Sequence, residues 1–439
     1  MNTGRKLAAA VAAEAAPRYL YWWLLLAVFF EYARPAAFVP GIEAFKLNSL
    51  IPLSLLVLCV FARGLRPVED IIGDPLAKWL LIYFALIALS MVHGTVKLYA
   101  YNKFIQVLGY LFLFFIIVRI VTSNQRLIGV FMILIAAHLF LLWINPAVLL
   151  NPEQRSYIQG GSFLGDGNDF GLSLCILLPM AIALALNARS KWRRLLWWST
   201  LTLLMLAIIG TSSRGATLGL IAVGGYLWLI SPRKTLTLIA FAFAVAIVLA
   251  FAPDSYFQRM NTIGTYEEDG SAMGRIDAWK AALRMVAINP LLGVGAGNFP
   301  TEVWRYKPPG SSLVGELTAH SMYFLVLGEL GFSGIVALLM LVIGGIRASS
   351  LLRRHLLATA MPAGDRRRVE SARLLYLLNA SMVGLAVPGA FLSAPYYPHL
   401  FVLTGLMVSC RCIARGMVAG DASVTHELEK PLHPRQVQS

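Results

Sequence analysis

Three side chains in this sequence have types that could act on a phosphorylated substrate: Arg214 in TSSRGATLG, Arg275 in GRIDAW and His320 in TAHSMYF. A guanidinium is permanently charged and carries a planar fork of N–H donors, so two arginines can clamp a phosphate or diphosphate. A histidine titrates near neutrality and can take the proton from an attacking hydroxyl. These residue types predict group transfer from a lipid-linked diphosphate, provided that the fold brings them together.

Each of the three residues also has a structural interpretation. Arg214 stands between two apolar segments, where a charge at membrane depth costs at least ~2.5–3.5 kcal/mol, but it could snorkel to the interface. Arg275 is predicted near the start of a helix, where a cation opposes the helix dipole unless an anion lies nearby. It could equally be a surface arginine. His320 could be a hydrogen-bonding residue at a helix end, so it is the combination that favours a site.

The composition indicates which kind of fold must position these residues. The chain has 439 residues, of which 58% are hydrophobic and only 13% charged, and its mean hydropathy is +0.70. Soluble proteins carry about 25% charged residues, because a soluble domain needs a charged surface. The sequence therefore predicts an all-α polytopic membrane protein. Its four cysteines form no CxxC pair and indicate no disulfide framework.

Apolar runs long enough to cross a bilayer predict about twelve transmembrane helices. We place them at 19–33, 47–62, 77–93, 104–121, 127–145, 170–187, 195–211, 215–231, 235–252, 320–345, 374–391 and 399–414. An even number puts both termini on one side. Most of the 37 Lys and Arg fall in tails and loops of that side, which the positive-inside rule makes cytoplasmic. Topology then explains the formal net charge of +15, and nucleic-acid binding is not needed.

One long segment, 253–319, separates the ninth and tenth spans on the outer face and is too long for a bare connector. We predict a lid with two helices. The second, at about 272–289, places four apolar side chains on one face. These are Ile276, Trp279, Leu283 and Val286.

The predicted organisation follows from these spans. Residues 1–252 carry nine transmembrane helices, 253–319 form the helical loop, 320–416 carry three further transmembrane helices, and 417–439 form a cytoplasmic tail. This topology places Arg214, Arg275 and His320 on the same face and near the same depth.

Other motifs have weaker chemical interpretations. GVGAGNF at 293–299 is similar to a phosphate-binding loop, but it follows a helix rather than a strand, so we interpret it as a turn. Asp166 and Asp169 in GDGND could ligate a divalent cation, or they could cap the helix that begins near 170. The histidines have no HxH or HExxH spacing, so no zinc site is indicated.

The order of several motifs resembles that of the O-antigen ligase and polymerase superfamily. SRGATL at 213–218 fits the family's Arg-x3-Leu motif, and GRIDAW and GVGAGNF follow in the loop. HSMYFLVLGELG at 320–331 fits a pattern of histidine, ten residues and glycine. The resemblance covers most of the chain. In some ligases a Thr-Trp pair follows the last glycine, whereas residues 332–336 here are FSGIV, so ligase and polymerase both stay open.

The resemblance implies a metal-independent, inverting glycosyltransferase of the polytopic C type, without a cofactor, at the periplasmic face of a Gram-negative inner membrane. The donor would be a glycan on undecaprenyl diphosphate. The acceptor would be a lipid A–core sugar hydroxyl for a ligase, or the growing glycan for a polymerase. Arg214 and Arg275 would bind the diphosphate, and His320 would activate the acceptor hydroxyl.

Further outer-face side chains are predicted to contact substrate. Two lysines would add positive charge for the diphosphate, and several ring-bearing side chains would line the sugar path. The lysines are Lys97 and Lys103, and the ring-bearing residues are Tyr323, Tyr396, Tyr397 and His399.

A carrier or lipid-glycan flippase is the alternative from another functional class, because twelve spans are common there too. Transporters often have duplicated halves and broken helices at the midplane, and no duplicated halves are evident in this sequence. Transfer of the glycan to a protein hydroxyl is a third alternative, which these residues do not separate from the ligase.

Overall fold

The protein is helical throughout the part of the chain that the structure describes. The computed structural model describes residues 16–39, 41–150, 158, 163–251, 257, 270–311, 318–359 and 365–428. No β-strand occurs in these residues. Helices satisfy their own backbone hydrogen bonds, which is what a bilayer requires of a spanning segment. The predicted all-α fold is confirmed in this respect.

Among the described residues, the first half of the chain folds into long helices that coincide with the predicted spans and two short α-helices between them. Several begin where a Ser or Asp side chain accepts a backbone hydrogen bond, at Asp74, Ser123, Asp166, Ser190 and Ser213. These helices are α1 (Arg18–Ala33), α2 (Leu47–Phe61), α3 (Val68–Ile72), α4 (Pro75–His93), α5 (Lys97–Ile120), α6 (Asn124–Ile144), α7 (Ala147–Leu150), α8 (Gly167–Asn187), α9 (Lys191–Gly210), α10 (Arg214–Ile230) and α11 (Lys234–Phe251).

The second half contains two helices of the long loop and then further long helices. They are α12 (Gly270–Ile288), α13 (Phe299–Tyr306), α14 (Met322–Leu339), α15 (Gly345–Thr359), α16 (Arg366–Gly389) and α17 (Pro398–Leu428). A π-helical turn at Met340–Gly344 joins α14 to α15. Most of the stretch 346–373 is helical, because it is rich in Leu, Ala and Arg, which favour helices.

Nine helices among the described residues are long and apolar enough to cross a membrane. Each of the other three predicted spans coincides with a shorter helix: α1, α10 or α11. A helix shorter than about 20 residues can still span with local thinning of the bilayer. The chain is therefore a multi-pass membrane protein, and the count of twelve spans stays a prediction.

The long loop contains α12 near the position of the predicted lid helix, but a different face is buried. The buried apolar side chains are Ala278, Ala281, Ala282, Met285 and Val286. Leu283, predicted on the packed face, is 49% exposed. Small residues occupy the buried face because α14 approaches closely at Gly328, where an added Cβ would lie 3.5 Å from Cα of Ala282.

Two predicted parts of the chain fall partly outside the described residues. The first lid helix would lie in 253–271, of which 257 and 270–271 alone are described. The predicted tail begins at 417, but α17 continues to Leu428, and residues 429–439 are outside the description. The helix α13 was not predicted.

The helices pack into a bundle with two distinct ends. One end, here called the loop end, holds α12 and α13 and the starts of α5, α10, α14 and α17. The chain between α4 and α5 is joined to the loop there by a hydrogen bond from the Thr95 amide to the Val294 carbonyl, at 3.2 Å. At the opposite end, Oδ2 of buried Asp74 forms ion pairs with Nε of Arg411 at 2.8 Å and with a guanidinium nitrogen of Arg415 at 2.9 Å. This cluster joins the start of α4 to α17, so the core is tied at both ends.

Candidate functional site

Arg214 is the first residue of α10, at the loop end of the bundle. Ser212 before it has a left-handed backbone with φ 49°, and Ser213 caps the helix by accepting a hydrogen bond from the Ala216 amide at 3.3 Å. This turn explains how α9 and α10 follow one another with almost no loop. The Arg214 side chain is partly exposed, and the positive end of the α10 helix dipole lies beside it.

Small residues after Arg214 bring α10 close to its neighbours. A Cβ on Gly215 would lie 3.3 Å from Cβ of Phe391, and one on Gly219 would lie 2.4 Å from Cγ of Pro388. The motif therefore seats α10 directly against the end of α16. Larger side chains there would push Arg214 away from that segment.

His320 immediately precedes α14 and has an unusual backbone conformation. Its φ is 45°, in the left-handed region that few non-glycine residues adopt. Ser321 then caps α14 by accepting a hydrogen bond from the Phe324 amide at 3.5 Å. Strain of this kind costs about 1–3 kcal/mol and is often found at functional sites. The fold therefore holds a partly exposed imidazole in a defined direction at the start of a helix.

The helix that carries Arg275 contacts the segment of His320 through Trp279. Arg275 and Trp279 lie one turn apart on α12, so they share a helix face. The Trp279 indole donates from Nε1 to the Ala319 carbonyl at 2.8 Å, and its ring stacks on Phe324 with centroids 5.0 Å apart. Because α12 begins at Gly270, Arg275 is in the second turn, and the unfavourable dipole effect expected at the helix start is weaker there.

The segment after α16 connects Arg214 to the other two candidates. Phe391 of this segment packs against Gly215, and the hydroxyl of Ser393 is hydrogen-bonded to that of Thr318, two residues before His320. The segments carrying Arg214, Arg275 and His320 are thus neighbours at the loop end, linked by contacts at Phe391, Ser393 and Trp279. The structure brings these segments together as the topology predicted.

The two predicted lysines lie on another side of the loop end, beside residues 293–299, here called the glycine loop. Lys97 is exposed in the first turn of α5. Lys103 donates a hydrogen bond from Nζ to Oε1 of Gln106 at 3.0 Å. A Cβ added to Gly297 would lie 3.5 Å from the Cβ of Lys103. The contacts that join Arg214, Arg275 and His320 do not include these lysines.

Two of the predicted aromatic side chains have structural partners. Tyr323 is half-buried, and its hydroxyl donates to the Ala386 carbonyl of α16 at 2.9 Å. Tyr396 is only 4% exposed, and its hydroxyl donates to Oε2 of Glu329 at 2.7 Å. Burial, with the Glu329 carboxyl beside it, raises the pKa of Tyr396 well above its usual value, so it is a neutral donor. A sugar-lining role predicted for Tyr396 does not fit this enclosed position.

Tyr397 and His399 belong to a neighbouring polar cluster. The Tyr397 hydroxyl is hydrogen-bonded to Asp169, and burial together with this carboxyl raises the pKa of Tyr397. His399 is buried, and its Nε2 lies 2.7 Å from the Ser173 hydroxyl. Tyr397 is partly exposed and can reach substrate, whereas burial removes His399 from the predicted sugar path.

The acidic pair of the GDGND motif lies at the start of α8. Asp166 accepts a hydrogen bond from the Asn168 amide at 3.1 Å and caps α8, which is the second of the two predicted roles. In the described parts of the chain, no three His, Cys, Asp or Glu side chains are grouped closely enough to hold a metal ion.

A known family matches the part of the chain that carries the three candidate residues. Residues 199–339 match the family model described as O-antigen ligase. The match confirms the resemblance to the O-antigen ligase and polymerase superfamily. The matched segment includes Arg214, Arg275 and His320, and no curated protein matches the chain. Together with the apolar helices, the match supports a multi-pass membrane enzyme of the glycan ligase or polymerase type.

The glycine that ends the superfamily-like motif, Gly331, breaks α14. Its φ of 65° and ψ of −161° are non-helical, and an added Cβ would meet the Leu291 carbonyl carbon at 2.6 Å. Across the break, the Phe332 amide donates to the Pro290 carbonyl at 2.8 Å. The glycine therefore lets the loop insert its backbone into the helix.

Glu329, two residues earlier, is a site-region residue that sequence reasoning missed. It is 1% exposed inside an apolar helix. A carboxyl at membrane depth is costly and is by default a candidate for function. That rule, applied to ELG within HSMYFLVLGELG, is the signal that could have found it.

Proposed function

We propose that this protein is an O-antigen ligase-like glycosyltransferase. It transfers a glycan from undecaprenyl diphosphate to a sugar hydroxyl of the lipid A–core, at the periplasmic face of the inner membrane. The family match supports the ligase or polymerase class. The observation that carries the proposal for the site is the set of contacts that joins the segments of Arg214, Arg275 and His320 at one end of the bundle.

In the proposed reaction, the acceptor oxygen attacks the anomeric carbon of the donor glycan. The bond between that carbon and the diphosphate oxygen breaks, and the electron pair leaves with the diphosphate. Attack from the face opposite the leaving group inverts the anomeric configuration. His320 accepts the proton that the acceptor hydroxyl loses.

Arg214 and Arg275 bind the diphosphate and stabilise its charge as it departs. Both side chains are partly exposed, so a ligand from solvent or the membrane surface can reach them. Diphosphate is already a good leaving group, so the proposed reaction requires neither a metal nor a cofactor.

The polymerase, which uses the same donor with a growing glycan as acceptor, is the second candidate. Residues 332–336, FSGIV, lack the Thr-Trp pair of some ligases. This difference is the observation that favours a different acceptor.

The deciding experiment uses purified protein in vesicles, with a glycan on undecaprenyl diphosphate and without added metal. Lipid A–core, the donor glycan itself and a serine-containing acceptor protein are supplied in separate reactions. A glycan on lipid A–core is the expected product. Chain elongation would instead identify the polymerase, and a glycosylated protein would identify a protein ligase. Transbilayer movement of the glycan with no new glycosidic bond would refute the enzyme proposal in favour of a flippase.

A further inference from the structure

The buried Glu329 side chain divides its two carboxyl oxygens between separate parts of the protein. Oε1 accepts a hydrogen bond from the Phe299 amide at 2.9 Å, and the Gly297 amide also donates to this carboxyl. Oε2 accepts the Tyr396 hydroxyl at 2.7 Å. One carboxyl in α14 thus binds both the glycine loop and the residue that leads into α17.

The glycine loop is therefore bound to an internal carboxyl group. Its backbone turns through three left-handed glycines, Gly293, Gly295 and Gly297, and its amides point at the helix. Concave loops of this kind bind anions through successive N–H groups. In this protein the Gly297 and Phe299 amides are occupied by the Glu329 carboxyl, which explains why a sequence similar to a phosphate-binding loop lies beside an apolar helix.

Backbone hydrogen bonds reinforce the same junction. The Val294 amide donates to the Gly328 carbonyl at 3.0 Å, and the Gly295 amide donates to the Glu329 carbonyl at 2.8 Å. The helix break at Gly331 frees these two carbonyls from their usual helical partners. The glycine loop is thus joined to α14 by main chain and side chain together.

This junction sets the distance between the candidate catalytic groups. The glycine loop follows α12, which carries Arg275, and Glu329 lies on α14, which begins after His320. We infer that Glu329 is a positioning residue: by holding the glycine loop to α14 it fixes the helix of Arg275 against the histidine. Glu329 does not itself contact substrate.

The inference rests on the proposed function for its catalytic consequence, but the loop attachment can be measured without any reaction. The test variant is Glu329→Gln, which preserves side-chain shape and removes the charge. An exposed carboxyl at the other end of the bundle, in Glu69→Gln, is the matched control. All proteins are full-length and in detergent or vesicles. Hydrogen exchange of residues 293–299 and steady-state kinetics with lipid A–core are measured on the same preparations.

In Glu329→Gln, we expect the Gly297 and Phe299 amides to exchange at least ~10-fold faster, because both lose their carboxyl acceptor. We expect kcat to fall about 10- to 100-fold, since a small misplacement of catalytic groups has an effect of this size. The donor KM should stay within about threefold of wild type. Glu69→Gln should match wild type in both measurements.

Several results would overturn the inference. Unchanged exchange in the glycine loop would show that Glu329 does not hold it. Faster exchange with wild-type kcat in the folded fraction would leave Glu329 with a structural role only. A raised donor KM at unchanged kcat would place it in donor binding.

A second variant covers the case in which Glu329→Gln does not fold. Gly297→Ala displaces the glycine loop from its other side, because φ is 78° there and the new Cβ would lie 3.0 Å from the Tyr99 carbonyl oxygen. It should reproduce the lower kcat with little change in KM, and a normal kcat would reject the positioning role. If the wild type forms no glycosidic bond with any acceptor, the proposed function fails, while the exchange measurement still decides whether Glu329 holds the loop.

Discussion

Replacing Gly331 by alanine should destabilise the protein and detach the glycine loop from α14. At φ 65° and ψ −161°, an alanine backbone is strained by about 1–3 kcal/mol. The new Cβ would also lie 2.6 Å from both the Pro290 oxygen and the Leu291 carbonyl carbon. Backbone atoms cannot rotate away, so the loop must move and give up the hydrogen bonds from the Phe332 and Ser333 amides.

Each of those two bonds contributes about 0.5–1.5 kcal/mol. Strain and lost bonds together predict that the free energy of unfolding falls by about 2–6 kcal/mol. Reversible unfolding of the purified protein in mixed micelles, titrated with SDS, measures this difference. Hydrogen exchange of residues 291–295 reports the loop separately.

The matched control is Gly109→Ala, within α5. A Cβ there meets nothing within 4 Å, and alanine favours a helix by up to about 1 kcal/mol over glycine. This variant should be as stable as wild type or more so. If Gly331→Ala proved equally stable and its loop amides equally protected, the role assigned to the helix break would be wrong.

The remaining predictions concern the proposed chemistry. Arg214→Lys should reduce donor use about ten- to a hundredfold in correctly inserted protein, because a point charge replaces a planar fork and each lost bond is worth roughly 1.5–3 kcal/mol. Arg275→Lys should have a milder effect, and wild-type activity in Arg214→Lys would remove the clamp assignment. His320→Gln should lower kcat by about 10²–10⁴-fold while donor binding, measured on the same preparation, persists. A protonated imidazole cannot accept a proton, so the wild-type rate should fall as the pH is lowered. Product formation should be unchanged by EDTA. If EDTA abolished turnover and Mg²⁺ or Mn²⁺ restored it, Asp166 and Asp169 would become candidate metal ligands.

Local sequence was enough to place the helices that carry the candidate site. Apolar runs of the right length correspond to helices in every predicted span, since hydropathy is a property of each segment alone. The starts of α10 and α14 can also be predicted from the sequence, because Ser213 and Ser321 are typical capping residues. The sequence alone therefore places Arg214 and His320 at helix ends.

The packed face of α12 was not predictable in the same way. The pattern of large apolar residues favoured Ile276, Trp279, Leu283 and Val286, but much of the buried face consists of alanines. Hydrophobic periodicity weights large side chains, whereas close approach to α14 selects small ones. Trp279 instead lies half-buried at the edge of the contact, where its indole joins α12 to the residue before His320.

The sequence by itself determined the class of fold, the helix ends that carry Arg214 and His320, and the order of motifs that indicates the superfamily. These depend on runs of residues that are adjacent in the chain. Only the tertiary structure decided that the glycine loop binds Glu329, that Tyr396 is buried on the same carboxyl, and that α14 breaks to receive the loop. The two hydrogen bonds of Glu329 join residues 30 and 67 positions apart. The packing of whole helices determines the partner of a buried carboxyl or of an amide-rich turn.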